Sequence, residues 1–139
     1  MAHTIHVDIV GPEGQLFAGE ASMVFVPGLE GELGIAPRHA PLLTTLKAGE
    51  VRVEVPGHGE QSFYVGGGAL EIQPHGVTVL ADTAARARDL DEAAAQAAKQ
   101  RAEEAMRERT DKIEIAEAQA ELARAVAQLR TIERLRKKR

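Results

Sequence analysis

Glycine, proline and the aromatic residues all lie within the first 76 positions of this 139-residue chain. The segment from Arg86 to Arg139 contains none of them and is rich in alanine, glutamate and arginine. Because glycine and proline form turns and end helices, a long segment of strong helix formers that lacks both favours helix throughout. The sequence therefore predicts two different modules joined near Thr83, one of residues 1–85 and one of residues 86–139.

The first module has the pattern of short strands separated by turns. An alternating run at Val51–Val55 is predicted to pair with Gln61–Val65 as a hairpin, and Leu70–Ile72 with Val77–Leu80 as another. Further strands are predicted in a run ending at Phe17 and at His6–Val10, Ala21–Val26, Leu33–Ile35 and Leu42–Leu46. Strands this short, with regular turn signals, indicate a compact β-sandwich or flattened barrel.

The second module carries two helix start signals. Asp89 is followed three residues later by a glutamate, as in a capping box, and Asp111 repeats the signal. We expect a first helix to about Glu108, a turn at Arg109–Asp111, and a second helix to about Leu135. At about 25 residues the second helix is about 37 Å long. The predicted fold class is α+β: a β-sandwich followed by an antiparallel two-helix hairpin.

Alanine is predicted to form most of the contact between these helices. On the second helix the expected contact residues are Ile115, Leu122, Val126, Leu129 and Ile132, with Ala116, Ala120, Ala123 and Ala127 beside them. On the first they are Leu90, Ala94, Ala97, Ala98, Ala102, Ala105 and Met106. An alanine contact buries little apolar area, so the interaction between the helices is weak while each helix is intrinsically stable. Two interpretations stay open: a small solvated hairpin, or a hairpin built to open.

Charge is divided unevenly between the modules. Residues 1–85 hold ten acidic and three basic side chains, a net charge of −7, whereas residues 86–139 hold eleven acidic and fourteen basic ones, a net charge of +3. The basic C-terminal end favours an acidic partner: nucleic acid, a membrane surface or an acidic protein patch. We expect no nucleic acid, because the first module is acidic and no aromatic residue lies among the bases.

Composition also limits the site chemistry. The chain has no cysteine, no apolar run of membrane-spanning length and no basic-then-apolar leader, so we expect the cytosol or a cytosolic membrane face. The five histidines do not form a metal-binding pattern, Gly66–Gly68 lacks the residues of a phosphate loop and is read as a bend, and neither serine lies in a nucleophile motif. We therefore expect no catalytic residue, no metal site and no cofactor. The Gly- and Pro-rich segment Glu30–Thr44 is instead predicted to be a rigid contact surface.

Several segments resemble one known family. Gly31–Ile35 followed by His39–Leu42 is similar to the signature loop of the ε subunit of bacterial F-type ATP synthases. Gly67–Pro74, Val77–Ala84, Leu90–Ala93 and Ala118–Ala123 match the same family in the same order. The resemblance covers essentially the whole chain.

The resemblance implies a non-catalytic rotor subunit that couples proton flow to ATP synthesis and restrains ATP hydrolysis. Its β-sandwich would bind the γ subunit and the ring of membrane c subunits, at the cytoplasmic face of the bacterial inner membrane. By position, Glu30, Gly31, Glu32 and His39 would face the c-ring, and Gly11 would lie near γ. The chain would be peripheral to the membrane, held there through the complex.

The family's hairpin can also extend beside γ into the catalytic head and block hydrolysis. In that state Arg124, Arg130, Arg134 and the terminal bases would meet acidic segments of the α and β subunits. The alternative for the basic end is a solvated or disordered tail.

Some relatives bind ATP on the folded hairpin, and this chain carries part of their pattern. Asp91, Arg101 and Arg124 match the pattern, whereas Ala94 and Gln128 stand where arginines are expected. Alanine and glutamine cannot supply bidentate phosphate contacts, so weak or absent ATP binding is expected.

Two functions of other classes remain as alternatives. A small β-domain enzyme would need a convergent polar pocket, for which the sequence offers no candidate residues. A free adaptor or chaperone that clamps with its hairpin would be expected to expose an apolar stripe at the helix tips, where this chain is basic.

Overall fold

The computed structural model describes residues 3–108 and 111–137. The chain divides into two compact units, Met1–Arg86 and Ala87–Arg139. The predicted boundary between residues 85 and 86 lies one residue from this division. The first unit is built of strands and the second of helices, so the predicted α+β class and its order along the chain are confirmed.

Eight strands make up the described part of the first unit. They are β1 (Ile5–Gly11), β2 (Gly14–Ala21), β3 (Met23–Gly28), β4 (Gly31–Ile35), β5 (Leu42–Val55), β6 (Gly59–Gln73), β7 (Gly76–Ala81) and β8 (Ala84–Arg86). The strand order is β2-β1-β7-β6-β5-β3-β4, and β8 pairs with β6. β1 and β7 are parallel and the other pairs are antiparallel. β2 and β4 are the two edge strands and do not pair with each other. The sheet therefore folds into a sandwich and does not close into a barrel.

β5 and β6 are much longer than predicted. Leu42–Leu46 and Val51–Val55 were expected as separate strands, but both belong to β5, which pairs with β6 in one register from Leu42↔Ile72 to Val55↔Gly59. The predicted hairpin of Val51–Val55 with Gln61–Val65 is one half of this ladder. β5 and β6 therefore each belong to both layers of the sandwich, one layer at each end of the strand.

Gly66–Gly68 lies inside β6, where the strand changes neighbours. Residues 68–73 pair with β7, whereas Phe63–Val65 pair with β8. Gly68 has a φ of 144°, and a Cβ there would lie 2.0 Å from the carbonyl oxygen of Leu80. Only glycine fits this close approach.

The core lies between the layers and is almost entirely aliphatic. Val7, Ile9, Val24, Val26, Ile35, Val51, Val53, Val65 and Val79 are fully buried. Phe17 on β2 packs against Phe63 on β6, with ring centroids 5.7 Å apart. The Arg86 guanidinium lies over the Phe63 ring, 5.6 Å from its centre, and Arg86 donates a 2.8 Å hydrogen bond to the carbonyl oxygen of Leu16. This contact attaches the last strand to the sandwich.

The edge strand β2 is held to β1 by a polar cluster on the outer face. The two ring nitrogens of His6 lie 3.0 Å from Glu20 and 3.3 Å from Asp8. Thr4 also donates to Glu20, and Gln15 donates to Asp8. The hydrogen bond to Glu20, followed by the effects of Asp8, raises the pKa of His6 above 6.5.

The second unit contains a short 3₁₀ turn (Ala87–Asp89) and two helices, α1 (Glu92–Glu108) and α2 (Lys112–Lys137). Asp89 was predicted to cap the first helix, but it lies in the 3₁₀ turn. Asp91 is the cap instead, since its Oδ1 accepts a 3.1 Å hydrogen bond from the Ala94 amide. Asp111 caps α2 as predicted, accepting 2.8 Å from the Ile113 amide. Of the predicted turn, Arg109 and Thr110 lie outside the described residues.

The helices are antiparallel, because Arg136 near the end of α2 forms an ion pair with Glu92 at the start of α1. The predicted contact residues are partly wrong. Ala94, Ala97, Ala116, Ala120 and Ala123 are exposed. The buried helical residues are Ala95, Ala102, Ala118, Ala125, Ala127 and Thr131.

Alanine remains the main buried residue of the helices, at positions that differ in part from the predicted ones, while the predicted Ile115, Leu122, Val126, Leu129 and Ile132 are half-buried. Ala95 and Ala102 are seven residues apart on α1, as are Ala118 and Ala125 on α2, which is the spacing of a close helix pair. Among the described helices, none is long and apolar enough to cross a bilayer.

We expect Ala102→Leu to destabilise the helical unit by about 1–3 kcal/mol, because Ala102 is fully buried and a larger side chain must push the helices apart. Ala97→Leu is the matched control: the residue is exposed on the same helix, so its change should stay within about 0.5 kcal/mol. Thermal unfolding followed by helical circular dichroism measures both. Equal effects of the two substitutions would contradict the assigned contact face.

The His6 cluster should make the sandwich pH-sensitive. A raised folded-state pKa means that the stabilisation is fully present below pH 6.5 and is lost as pH rises through the folded-state pKa. An NMR titration should give His6 a pKa above 6.5, and Glu20→Gln should move it back toward that value. Glu13→Gln, in the exposed turn between β1 and β2, is the control and should leave it unchanged.

Candidate functional site

The predicted contact segment begins at the tip of the β3–β4 hairpin. Gly28 pairs with Gly31, so Leu29 and Glu30 alone form the connecting turn. Gly31 has a φ of 145°, and a Cβ on Gly28 would lie 2.6 Å from the Gly31 carbonyl oxygen. The Leu29 amide donates a 3.2 Å hydrogen bond to the carbonyl oxygen of Thr45 on β5. The glycines thus fix a tight turn that points its two side chains outward.

A groove runs between this tip and the start of β5. Its lining residues are Gly28, Leu29, Glu30, Gly31, Glu32, Leu33, Leu42, Thr44 and Thr45. Glu30 and Glu32 are exposed, and Leu29 is 61% exposed. Three of the four predicted ring-contact positions therefore share one surface of mixed apolar and acidic character.

His39, the fourth position, does not line this groove. It lies in the turn between β4 and β5, where its amide donates 3.2 Å to the Ala36 carbonyl and its Nδ1 lies 2.8 Å from the Ala40 carbonyl. The preceding Arg38 has a φ of 68°, a left-handed conformation that a non-glycine residue rarely adopts. His39 is thus held by its own turn.

Arg52 is a residue of this surface that sequence reasoning missed. Its guanidinium lies 4.4 Å from the centre of the Phe25 ring and forms an ion pair with Glu32. The strict alternation at Val51–Val55 places Arg52 on the outer face of the sheet. The order β5-β3-β4, which brings it within reach of Glu32, could not be read from that pattern.

Gly11, the predicted γ contact, is the last residue of β1 and is half-buried. A Cβ there would meet the Ala84 Cβ at 3.3 Å, so the position is close to β8. Beside it, the outer face of the sheet carries exposed apolar side chains, of which Leu43 belongs to the predicted contact segment Glu30–Thr44 and Leu80 does not. Leu80, opposite Val10, is 52% exposed, and Leu43 on the same face is 73% exposed.

The basic residues of α2 do not share one face. Arg130 and Arg134 are four residues apart and lie on the same side of the helix, whereas Arg124 is about 120° around from Arg130. Arg130 is exposed, and Arg124 and Arg134 are half-buried. The predicted terminal bases Lys138 and Arg139 lie outside the described residues.

The predicted ATP-binding residues are distributed over the helical unit: Asp91 caps α1, Arg101 lies on α1 and Arg124 on α2, and their binding of ATP stays a prediction. One Asp91 oxygen is occupied by capping α1. Arg101 is exposed and ten residues further along the same helix, about 15 Å by helical rise. Across residues 3–108 and 111–137, no group of three or more His, Asp or Glu side chains could hold a metal ion.

Comparison with known proteins assigns the family. The model of the ATP synthase delta/epsilon chain β-sandwich domain matches residues 4–87, and that of the delta/epsilon long α-helix domain matches residues 88–133. The chain belongs to the family of ATP synthase epsilon chains. The expectation drawn from the resemblance is confirmed at the level of the family.

Relatives that match over their full length support the same assignment of family. The chain is 62% identical to an ATP synthase epsilon chain of Nitrosococcus oceani, over 99% of both chains. It is 61% identical to ATP synthase epsilon chain 1 of Methylococcus capsulatus, over 99% of this chain and 98% of that one. A subunit of the Euglena gracilis mitochondrial ATP synthase has the same fold, with a TM-score of 0.79 at 16% identity over 89% of this chain and 78% of that one.

Weak or absent ATP binding remains a prediction for this member of the epsilon family. Isothermal titration should give a dissociation constant of about 1 mM or weaker, and micromolar binding would contradict it. Restoring the two guanidiniums with Ala94→Arg and Gln128→Arg should tighten binding about tenfold or more, because charge-assisted phosphate contacts are strong. Ala97→Arg, which adds a cation at an exposed position outside the pattern, is the control and should leave affinity nearly unchanged.

Proposed function

We propose that this chain is the epsilon subunit of a proton-translocating F-type ATP synthase, a non-catalytic part of the central stalk. The observation that carries the proposal is full-length similarity to epsilon chains in an unbroken order of sandwich and helices. In this proposal the subunit couples rotation of the c-ring to ATP synthesis through γ. It lies at the cytoplasmic face of the bacterial inner membrane, peripheral and held by the complex.

The β3–β4 tip and the following turn are the proposed c-ring contact. Glu30, Gly31 and Glu32 line one groove with exposed leucines beside them, and His39 lies in the next turn. Exposed ion pairs contribute little singly, so the contact would depend on the shape of the glycine-fixed turn and on its apolar side chains.

The outer face near Gly11 is the proposed γ contact. Val10 and the exposed Leu80 are apolar and lie next to Gly11, and the exposed Leu43 lies further along the same face, in the row of Glu71 and Asp8. Exposed leucines of this kind are often covered by protein partners. Gly11 lies at the margin of this face and would allow close approach of another backbone.

The helical unit is the proposed regulator of hydrolysis. Its alanine contacts bury little area, so separation of α1 from α2 has a low free-energy cost. The 26 residues of α2 form a rod of about 39 Å, long enough to reach into the catalytic head. Arg124, Arg130 and Arg134 would there meet acidic segments of α and β.

The test is ATP hydrolysis by a matching α3β3γ head that lacks epsilon, titrated with the full chain and with residues 1–86. The truncation keeps Arg86, because that residue completes β8 and covers Phe63. We expect both proteins to bind and only the full chain to suppress hydrolysis. Suppression by both would assign inhibition to the sandwich, and failure of both to bind would reject the proposed function.

A variant with a weakened helix contact sharpens this test. If separation of the helices is needed for inhibition, Ala102→Leu should inhibit at lower concentration than the unmodified chain, because it destabilises the closed hairpin. The exposed Ala97→Leu serves as the control.

A further inference from the structure

We propose that Arg86 is a positioning residue that keeps β8 on the sandwich, so that movement of the helical unit begins at the junction of Arg86 with Ala87. The inference rests on the proposed function in one respect, since the movement in question is the separation of the helices proposed there. It follows from the contacts of Arg86 within the first unit and of Ala87 within the second.

Arg86 lies on the open side of the sandwich, where the edge strands β2 and β8 are not paired with each other. Among the described strands, β8 pairs with β6 alone and β2 with β1 alone. The Arg86 guanidinium donates a 2.8 Å hydrogen bond to the carbonyl oxygen of Leu16 on β2. One side chain therefore links two edges that no backbone ladder joins.

The acceptor of this hydrogen bond is the extra residue of a β-bulge. The register of β1 with β2 shifts after Ile9↔Phe17, so that Leu16 has no partner on β1. A bulged residue is left out of the ladder, and a partly buried carbonyl then needs another donor. Leu16 is half-buried, and the guanidinium supplies that donor.

The Arg86 side chain points toward the inside of the sandwich although it is charged. Arg86 stands opposite Phe63 on β6, and its guanidinium lies 5.6 Å from the centre of that buried ring. A cation is attracted to the face of an aromatic ring, most strongly where water is partly excluded. Since β8 has only three residues, these side-chain contacts add substantially to a short ladder.

The chain offers an alternative place to bend, between β7 and β8. Asp82 and Thr83 are exposed and lie outside the strands. Both are bonded to β6, since the Asp82 amide donates 2.9 Å to the Gly67 carbonyl and the Gly66 amide donates 2.8 Å to the Thr83 carbonyl. With Arg86 in place, the segment is held to the sandwich at both ends. Without the Arg86 contacts, it would be attached mainly at its first end.

On the other side of the junction, Ala87 is held in the helical unit. It is 4% exposed, and its carbonyl oxygen accepts a 3.3 Å hydrogen bond from the Leu90 amide. It also lines a cavity together with Leu90 and Ile132 of the same unit. Each residue of the junction is therefore fixed, and no free linker lies between them. A few backbone dihedrals beside the Arg86–Ala87 peptide must then absorb the movement of the helical unit.

A joint this short bears on the proposed regulation of hydrolysis. The end of the sandwich stays a fixed point, so the helices start from a defined position when they separate. A short tether that can reach the target holds a released segment there at high effective concentration, whereas a longer flexible tether lowers that concentration.

Amide hydrogen exchange on the free full chain tests the positioning role. In an antiparallel pair every second residue donates to its neighbour, so one of the Ala84 and Ala85 amides is protected by β6. Arg86→Met keeps an unbranched side chain but cannot donate to Leu16, and should speed exchange of this amide about three- to tenfold. The Val79 amide in the core should be unchanged.

Two further variants make this exchange measurement specific. Arg86→Lys keeps the cation and should restore part of the protection, although it loses the planar group. Arg88→Gln removes a cation from an exposed position on the other side of the junction and should leave exchange in β8 unchanged. Unchanged exchange in Arg86→Met, or an equal effect of Arg88→Gln, would overturn the positioning role.

Hydrogen exchange in the hydrolysis-inhibited assembly with α3β3γ tests the location of the joint. The protected amide of β8 should stay at least as protected as in the free chain, because β8 remains on the sandwich. Loss of protection in β8 while the Val79 amide stays protected would place the joint at Asp82–Thr83 and overturn the inference.

Hydrolysis by the same α3β3γ head separates the tether from the anchor. Arg86→Met in the full chain should weaken inhibition about two- to fivefold, because the segment from Asp82 to Arg86 then lengthens the tether. The same substitution in residues 1–86 should leave binding to the head unchanged. Equal losses of binding and inhibition would assign Arg86 to sandwich stability alone, and unchanged inhibition would separate the joint from regulation; either result would overturn the inference.

These outcomes are distinct from failure of the proposed function. If the unmodified full chain does not bind the head, the proposed function fails. The exchange of β8 in the free chain does not depend on that binding, and it still decides whether Arg86 holds β8 to the sandwich.

Discussion

The unbroken pairing of β5 with β6 is the constraint on which the first unit depends. A single register over this ladder gives both layers of the sandwich a shared pair of strands, and β3, β7 and β8 each pair with one of them. A one-residue slip would turn Val51, Val53 and Phe63 out of the core. The glycines at 66–68 let β6 change neighbours while the register is kept. The β3–β4 tip takes its position from this same ladder, through Thr45 and Arg52.

The helical unit follows a different principle. Its helices have high intrinsic helix propensity, since they lack glycine and proline, while their buried residues are alanines and Thr131, which bury little apolar area. Folding of each helix and association of the two are therefore only weakly linked. Such a division suits a segment that changes partners while it stays helical, which is what the proposed regulatory role requires.

The sequence predicted the order of modules, most strands and the Asp111 cap because those features depend on local pattern. The predictions were wrong where a feature depends on which strands or helices lie next to each other. The continuity of β5 and β6 was hidden by glycines that usually mark breaks, and Asp91 was passed over for Asp89 because both fit a capping signal. The alanine face was misplaced since alanines lie on every side of α1. Arg52 was missed because its contact with Glu32 spans three strands.

In the proposed function, the β-sandwich holds the subunit on the rotor while α1 and α2 separate from each other. Because the chain has no cysteine, spin labels can be attached at cysteines introduced at the exposed positions Ala97 and Glu133, one on each helix. Pulsed electron resonance in the assembled, hydrolysis-inhibited ATP synthase then measures their separation directly. The account predicts a population far beyond the roughly 10 Å spacing of packed helices. A single short distance in a fully inhibited enzyme would contradict it.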